Sequence, residues 1–535
     1  MGSRSDASVK RLTLVACILG SSIALLDSTV VNVALPTIQR QLGGGLAGEQ
    51  WVGNSYLLTL GSLILIGGSL GDVYGERRIF AIGVVGFGVT SVLCAIAPSI
   101  GVLIAARTLQ GVASALLTPA SLAVIVRTFP ESERGGAIGS WTAWGTVAAA
   151  VGPLVGGELL AIGSWRLIFL LNIPLVIVCT ALIMLVIPRA EPRAAEERRR
   201  IDIPGATLCA AGLGATVFAL IEQPVLGWSG VILPLIAGLG LLAVFIGFEA
   251  RTRDPMLPLG LFRYRNFSAG NIETFSMYAG LSILFFFLTL FLQQVAGYSP
   301  LKAGLTLLPT TLVMFALSKR FGMLADRYGP RLFMGAGPLV GAAGLLLFQR
   351  VGAHVNYFSD VLPALLVFSV GLAMTVAPLT AAVLAGVDES QAGIASGVNN
   401  AIARVAGLIG VAAVGAAIAA SFGKTLENSL ANVALGPSGK AAIEQAKRLP
   451  LGVPQAHGLP PSAAHALRTA AEHASVHSFH IGMAIAAVLL AIGGIAGALG
   501  IRNPHGRVRA VECAGGQLGG VGTEIPERAR VGAAA

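Results

Sequence analysis

Gly68-Ser69-Leu70-Gly71-Asp72-Val73-Tyr74-Gly75-Glu76-Arg77-Arg78 and Gly322-Met323-Leu324-Ala325-Asp326-Arg327-Tyr328-Gly329-Pro330-Arg331 share one pattern, Gly-x-Leu-x-Asp-x-Tyr-Gly-x-Arg. Each copy ends one long apolar segment and precedes another. A charged turn repeated between hydrophobic spans implies a duplicated membrane bundle, and duplicated bundles are mostly transporters.

Working outward, the rest of the chain has the composition this requires. Hydrophobic residues make up 55% of it and charged residues 12%, whereas a soluble chain carries roughly 25% charged residues. The apolar residues come in runs of about 18 or more, which is bilayer length. No short apolar region with a small-residue cleavage site opens the chain, so the first span is expected to be retained. The net charge of +10 raises nucleic acid as a partner. The basic residues argue against it, because they sit in short loops between apolar spans. Cys17, Cys94, Cys179 and Cys209 lie within or beside apolar stretches and Cys513 lies in the tail, without CxxC or Cys/His spacing. Neither a disulfide framework nor a zinc site is expected.

Length and apolarity predict an all-α integral membrane protein of fourteen spans: 11–35, 51–71, 79–98, 102–126, 137–161, 166–187, 203–221, 231–250, 267–293, 302–323, 332–350, 360–386, 393–421 and 480–500. The expected division is a six-helix bundle over 1–190, then a linker and two extra transmembrane helices over 191–255. A second six-helix bundle covers 256–501, and a tail covers 502–535. Arg4, Lys10, Arg11, Arg77, Arg78, Arg127, Arg134, the arginines from Arg189 to Arg200, Arg251 to Arg265, and Lys319 to Arg331 all fall in loops of one parity. That parity predicts both termini in the cytoplasm. The acidic loop with Asp388 and Glu389 breaks the trend. The charge run Glu191–Arg200 reads as a solvated linker, and the Gly- and Arg-rich tail reads as disordered. One opposite-side loop is long, 421–478, and reads as an ordered or half-ordered external segment that could meet an extracytoplasmic partner.

In the repeated turn, the glycines Gly68, Gly75, Gly322 and Gly329 permit close helix approach and a tight reversal. Asp72 and Asp326 stand at the membrane edge, where a carboxylate can meet a helix N-terminus or an arginine such as Arg77, Arg78, Arg327 or Arg331. The pair reads as gating latches or as inert turns, and its double occurrence favours the latches.

Here the resemblance becomes specific. The chain is similar to the major facilitator superfamily, in its fourteen-helix drug:proton antiporter family of the EmrB/QacA type. Leu26-Asp27-Ser28-Thr29-Val30-Val31-Asn32-Val33-Ala34-Leu35-Pro36 resembles that family's first-helix signature, and Gly68–Arg78 with Gly322–Arg331 its loop motif and echo. Arg107-Thr108-Leu109-Gln110-Gly111 resembles its fourth-helix motif. Gly152-Pro153-Leu154-Val155-Gly156-Gly157 resembles its fifth-helix antiporter motif, followed by Trp165-Arg166-x-x-Phe169-x-x-Asn172-x-Pro174. The likeness covers about residues 10–420 and the last span. Val73 departs from it, standing where the family usually carries arginine; Arg327 keeps that residue in the second copy.

Asp27, two-thirds along the first span, is a functional candidate because an ionisable group at membrane depth is costly unless hydrated or paired. It reads as a proton-coupling or cation-binding residue, or as a packing contact with Asn32. The resemblance favours the first. Arg107, inside the fourth span, needs a carboxylate or several carbonyls; by resemblance it tunes an acidic partner in a proton relay. Arg404, within Asn399-Asn400-x-x-x-Arg404-x-x-Gly407, reads as its counterpart in the second half. Gly152, Pro153, Gly156 and Gly157 make a thin, kinked helix that the family associates with exporters. Glu158 is expected in an outer vestibule. Glu222 and Glu273 read as proton or substrate sites or as interfacial residues. His473, His477 and His480 share one helical face and read as an amphipathic segment rather than a metal site. Gly423-Lys424-Thr425 lacks the earlier glycine of a phosphate loop, Ile418 standing there, so ATP is not expected to drive the chain.

The resemblance thus implies alternating access without a cofactor, driven by the proton gradient, with lipophilic and often cationic small molecules moved outward. A lipid or glycolipid exporter on the same scaffold is the alternative. A receptor without transport is disfavoured by the lack of a soluble sensory domain and by the exporter-type motif.

Overall fold

A computed structural model describes residues 6–188, 202–253, 255–384, 387, 391–431, 433, 437–452, 454 and 459–503. The charge run from Glu191 to Arg200, the pair Asp388–Glu389 and the tail from 504 with Cys513 lie outside the described residues. Bilayer hydrocarbon offers backbone amides no water, so each apolar run pairs its N–H and C=O groups within itself and becomes a helix. In chain order these are α1 (Asp6–Leu42), α2 (Gly45–Tyr74), α3 (Glu76–Ala95), α4 (Ile100–Thr128), α5 (Glu131–Ile162), α6 (Arg166–Leu170), α7 (Asn172–Val186) and α8 (Ile203–Glu249). Then follow α9 (Arg265–Gln294), α10 (Pro300–Thr306), α11 (Leu308–Tyr328), α12 (Pro330–Leu347), α13 (Leu362–Leu384), α14 (Ala392–Leu430), α15 (Pro437–Lys447) and α16 (Pro461–Gly500). α6 with α7, and α10 with α11, each make one crossing.

Thirteen described helices are long and apolar enough to cross a bilayer. The sequence predicts fourteen, and α8 accounts for the difference. At about 1.5 Å per residue its 47 residues would be far longer than one crossing. It reverses at Gly227, whose φ of 67° and ψ of 174° belong to glycine alone. A side chain at Gly205 would meet Glu249, one at Gly212 would meet Leu242, and one at Gly238 would meet Thr216. Each pair is centred on 227, so the two arms run antiparallel as a hairpin and supply the seventh and eighth passes.

The packing repeats itself. α1 packs on α5 and α7, α2 on α4, and α3 on α4 and α7. α9 packs on α14 and α16, α11 on α13, and α12 on α13 and α16. Hence α1, α2, α3, α4, α5 and α7 correspond in order to α9, α11, α12, α13, α14 and α16. Both repeated turns close on a glycine in the left-handed region, Gly75 at φ 92° and Gly329 at φ 87°. These turns define one end of the bundle, called here the motif end.

The two halves share their largest apolar cluster at the far end. At the far end, Val30, Val31, Leu35 and Ile38 of α1 pack in one cluster with Phe286, Phe287 and Phe291 of α9. Toward the motif end the first half has its own cluster, around Phe80, Phe87 and Ile125. The second half has another, around Phe267, Met334 and Leu379. The halves are joined at the far end; toward the motif end each has its own core, and they touch along α2 and α14 as far as Leu65 and Gly397.

The expected loop 421–478 is largely helical. α14 and α16 run on past any bilayer thickness, each about 60 Å long by its 39 or 40 residues. With α15 they enclose a small cluster of Phe422, Leu426, Leu430, Ala446, Leu467, Ala470, Ala471 and Ala474. Lys447 ties α15 down, donating to Glu427 and Glu444 at 2.5 Å each; those hydrogen bonds hold its ammonium above the ordinary lysine range. The segment's apolar residues are thus spent on its own cap. His480 bonds the Val351 carbonyl at 2.8 Å, while His473 and His477 are exposed.

Candidate functional site

Side chains of four helices of the first half, and a backbone carbonyl of a fifth, converge on a polar centre inside the bilayer. Asp27 of α1 is 0% exposed and Arg107 of α4 is 1% exposed. Arg107 Nη1 donates to Asp27 Oδ2 and, at 2.6 Å, to Gln110 Oε1; its Nε donates to the Val52 carbonyl at 3.1 Å. Asn172 of α7 donates to Asp27 Oδ1 at 2.9 Å, and Gln110 donates there at 3.3 Å. Ser91 of α3 accepts from both amides, at 2.9 and 3.2 Å. Burial of a charge demands such pairing. Gln110 and Arg107 share one face of α4 because they are three residues apart.

Tyr56 separates this centre from a cleft between the halves. Arg107 Cζ lies 4.4 Å from the Tyr56 ring centroid, and the Tyr56 hydroxyl bonds Ser114 at 2.8 Å. The cleft is lined by Ser21, Ala24, Leu25, Tyr56, Leu60, Ser114, Thr118, Trp141 and Arg404. Trp141 Nε1 donates to Ser21 at 2.7 Å, fixing that wall. Asp27 does not line the cleft. It lies one side chain behind it, within the first half rather than against lipid.

The remaining sequence candidates scatter. Asn32 is half-buried and outside the Asp27 network, so the packing contact expected between them is not made. Glu273 is fully buried in the second half, and neither carboxyl oxygen has a hydrogen-bond partner among the described residues. It faces Gly497 of α16, beside the Met334 carbonyl, remote from Asp27 in the packing. Glu222 accepts from Trp51 Nε1 at 2.8 Å and pins the α8 hairpin to α2, close to the hairpin's turn. Glu158 is exposed near the far end. Arg404 reaches the cleft, but on α14, the counterpart of α5. The counterpart of α4 is α13, so Arg404 is not the second-half equivalent of Arg107.

The motif residues divide by role. Gly152 and Gly156 press on Thr29 and Val30 of α1, while Gly157 and Pro153 press on Leu301 and Gly304 of α10. The antiporter motif therefore packs two interfaces at once, one of them between the halves. In the repeated turn, Arg77 donates to the Met184 carbonyl at 2.9 Å, and Arg331 to the Ala498 carbonyl at 2.6 Å. Each arginine caps the last helix of its own half, an orphan-carbonyl end that favours a cation. Arg78 is exposed, and Arg327 lies 5.4 Å from the Tyr328 ring centroid. The close approach expected of Gly68 belongs to its neighbour. A Cβ at Gly67 would strike the Ala115 carbonyl of α4, whereas one at Gly68 has ordinary room. Gly322 is buried, and Asp72 and Asp326 stand exposed and half-buried near the turns.

Sequence reasoning assigned no role to the far-end closure. Gln50 donates to the Val411 carbonyl at 2.7 Å, Gln293 to the Val33 carbonyl at 3.0 Å, and Gln294 to Glu49 at 2.7 Å. The Leu46 amide meets the Arg448 carbonyl of the cap at 3.3 Å. All four bonds join the two halves. The signal was present in Glu49-Gln50 and Gln293-Gln294, polar pairs at span ends, a position that reads equally as interfacial.

A family model described as Major Facilitator Superfamily matches residues 17–411. The chain belongs to the Major Facilitator Superfamily. It is 36% identical over 423 residues to Multidrug resistance protein Stp of Mycobacterium tuberculosis, covering 78% of each chain. It is 38% identical over 407 residues to Puromycin resistance protein pur8 of Streptomyces alboniger, covering 75% of this chain and 80% of that one. In structure it resembles a bacterial homolog of the human lysosomal transporter Spinster, solved inward-facing and unoccupied. The TM-score there is 0.61 at 18% identity, over 94% of this chain and 100% of that one. This superfamily member is therefore a multi-pass membrane transporter by family.

Proposed function

We propose that the protein exports lipophilic small molecules across the inner membrane in exchange for inward-moving protons, with both termini and the motif end in the cytoplasm. The observation that carries this reading is the Asp27–Arg107 centre lying directly behind a cleft between two halves. Tyr56 joins centre and cleft, its ring under Arg107 and its edge in the cleft lining. Cargo that displaces the Tyr56 ring shifts the cation stacked on it and loosens Arg107 from Asp27. A carboxylate so released can take a proton when the alternate conformation hydrates it. No ATP or resident cofactor enters this cycle; the proton gradient drives it. The motif end, where each half keeps its own core, corresponds to the inward-open state, and the arginine-rich loops at that end favour its cytoplasmic orientation. Likeness to relatives named for multidrug and puromycin resistance supports drug-like cargo.

A lipid exporter is a second reading, favoured by one feature. α5 packs on α10 at the far end but scarcely on α11, leaving that seam open sideways. A transport screen in proteoliposomes with dyes, antibiotics and lipids, with and without an uncoupler, separates the two. Gradient-dependent movement of soluble drugs supports the first reading, and movement of lipids alone supports the second.

A further inference from the structure

An ionisable side chain at membrane depth is normally paired or faces water. Among the described residues Arg404 has neither an ion-pair nor a hydrogen-bond partner, and it is only half-buried. Its stem is braced, since a Cβ at Gly61 of α2 would come 3.3 Å from Arg404 Cβ. It is the one charged residue in the cleft lining. The other buried charges do not offset it there. Asp27 and Arg107 neutralise each other behind Tyr56, and Glu273 lies inside the second half.

We infer that Arg404 is the recognition point for an acidic group on lipophilic aromatic cargo: a carboxylate, enolate or phenolate. This rests on the exporter reading and narrows its cargo. A guanidinium presents a planar fork that binds such oxygens in pairs. Tyr56 and Trp141 offer aromatic walls, Ala24, Leu25 and Leu60 an apolar floor, and Ser21 and Ser114 nearby hydroxyls. A cationic molecule entering the same cleft meets a positive charge and no facing carboxylate.

The test uses the full-length protein and two xanthene dyes of like skeleton, anionic fluorescein and cationic rhodamine 6G. Fluorescence polarisation at neutral pH is expected to give about tenfold tighter binding of fluorescein, the scale of one charge-assisted hydrogen-bonded pair. Arg404→Gln is expected to lose about that tenfold while leaving rhodamine 6G unchanged or tighter, and Arg404→Lys to keep the direction of the preference at reduced size, since an ammonium keeps the charge but not the paired fork. Melting temperatures matched to the wild type verify the fold; if Arg404→Gln melts early, the wild-type dye pair and Arg404→Lys decide. Tighter wild-type binding of rhodamine 6G, binding of neither dye, or a folded Arg404→Gln with unchanged fluorescein affinity overturns the inference. Proteoliposome transport separates the two claims. Fluorescein that binds through Arg404 but never moves under a pH gradient defeats the exporter reading alone. Gradient-driven rhodamine 6G movement identical in wild type and Arg404→Gln, with no fluorescein movement, defeats the inference alone.

Discussion

At the scale of single residues, the buried ion pair makes the sharpest demands. Removing one partner of such a pair leaves an uncompensated charge, a cost of about 3–5 kcal/mol. Arg107→Ala is therefore expected to lower the melting temperature strongly, because Asp27 then keeps only the amides of Asn172 and Gln110. Asp27→Asn strips the buried Arg107 guanidinium of its carboxylate, leaving it the Val52 carbonyl and Gln110 Oε1, and is likewise expected to melt below the wild type and to lose proton coupling. Thermal unfolding and gradient-driven uptake, measured on both variants, check these losses. At the far-end closure, Gly45 has φ 57° and a Cβ there would strike the Arg448 carbonyl. Gly45→Val is expected to weaken the closure and raise labelling of far-end cysteine probes, whereas an unchanged labelling rate would remove this contact from the gate. Asp27 and Arg107 were legible in the sequence as charges at membrane depth. Asn172 and Ser91, which complete their network, were not, since which buried polar groups meet is decided by packing between helices far apart in the chain.

At the scale of elements, the fifth helix and the hairpin carry the argument. Gly157 lies against Leu301 at the far end, so a Gly157→Cys/Leu301→Cys pair is expected to form a disulfide that holds the halves together there. Oxidation is expected to stop transport and reduction to restore it; uptake unaffected by oxidation would mean that α5 and α10 need not part. The hairpin packs along both α2 and α14, with Val217 and Ile221 against Leu408 and Ala412, and Trp51 bonded to Glu222. Gly227→Ala forces a side chain into a backbone region reserved for glycine, at about 1–3 kcal/mol. Its expected effect is a lower melting temperature with the cleft's ligand affinity unchanged. The spans themselves were readable from apolar run length, and the two extra helices from their count. The reversal at Gly227 was visible only as a break between two runs. The segment 421–478 was readable as an ordered or half-ordered external stretch, but its packing into a cap was not, because alanine-rich, low-hydropathy helices do not reveal their partners.

At the scale of the whole molecule, pseudo-symmetry makes the α2–α14 seam the equivalent of the α11–α5 seam. The two are not alike here. α2 meets α14 from Gln50–Val411 through Gly61–Arg404 to Leu65–Gly397, and the hairpin covers that face. The other seam is closed only where α5 meets α10. The face between α5 and α11 is therefore the less covered of the two, and the repeated decapeptide, which revealed the two-fold plan, could not reveal this difference because it is identical in kind on both halves. The central claim is that a proton taken by Asp27 drives cargo through the cleft. Its most direct measurement is dye accumulation in proteoliposomes under an imposed pH gradient, for wild type and Asp27→Asn side by side. The account predicts accumulation in the wild type that collapses with an uncoupler and is absent in Asp27→Asn; undiminished gradient-driven accumulation in Asp27→Asn would contradict it.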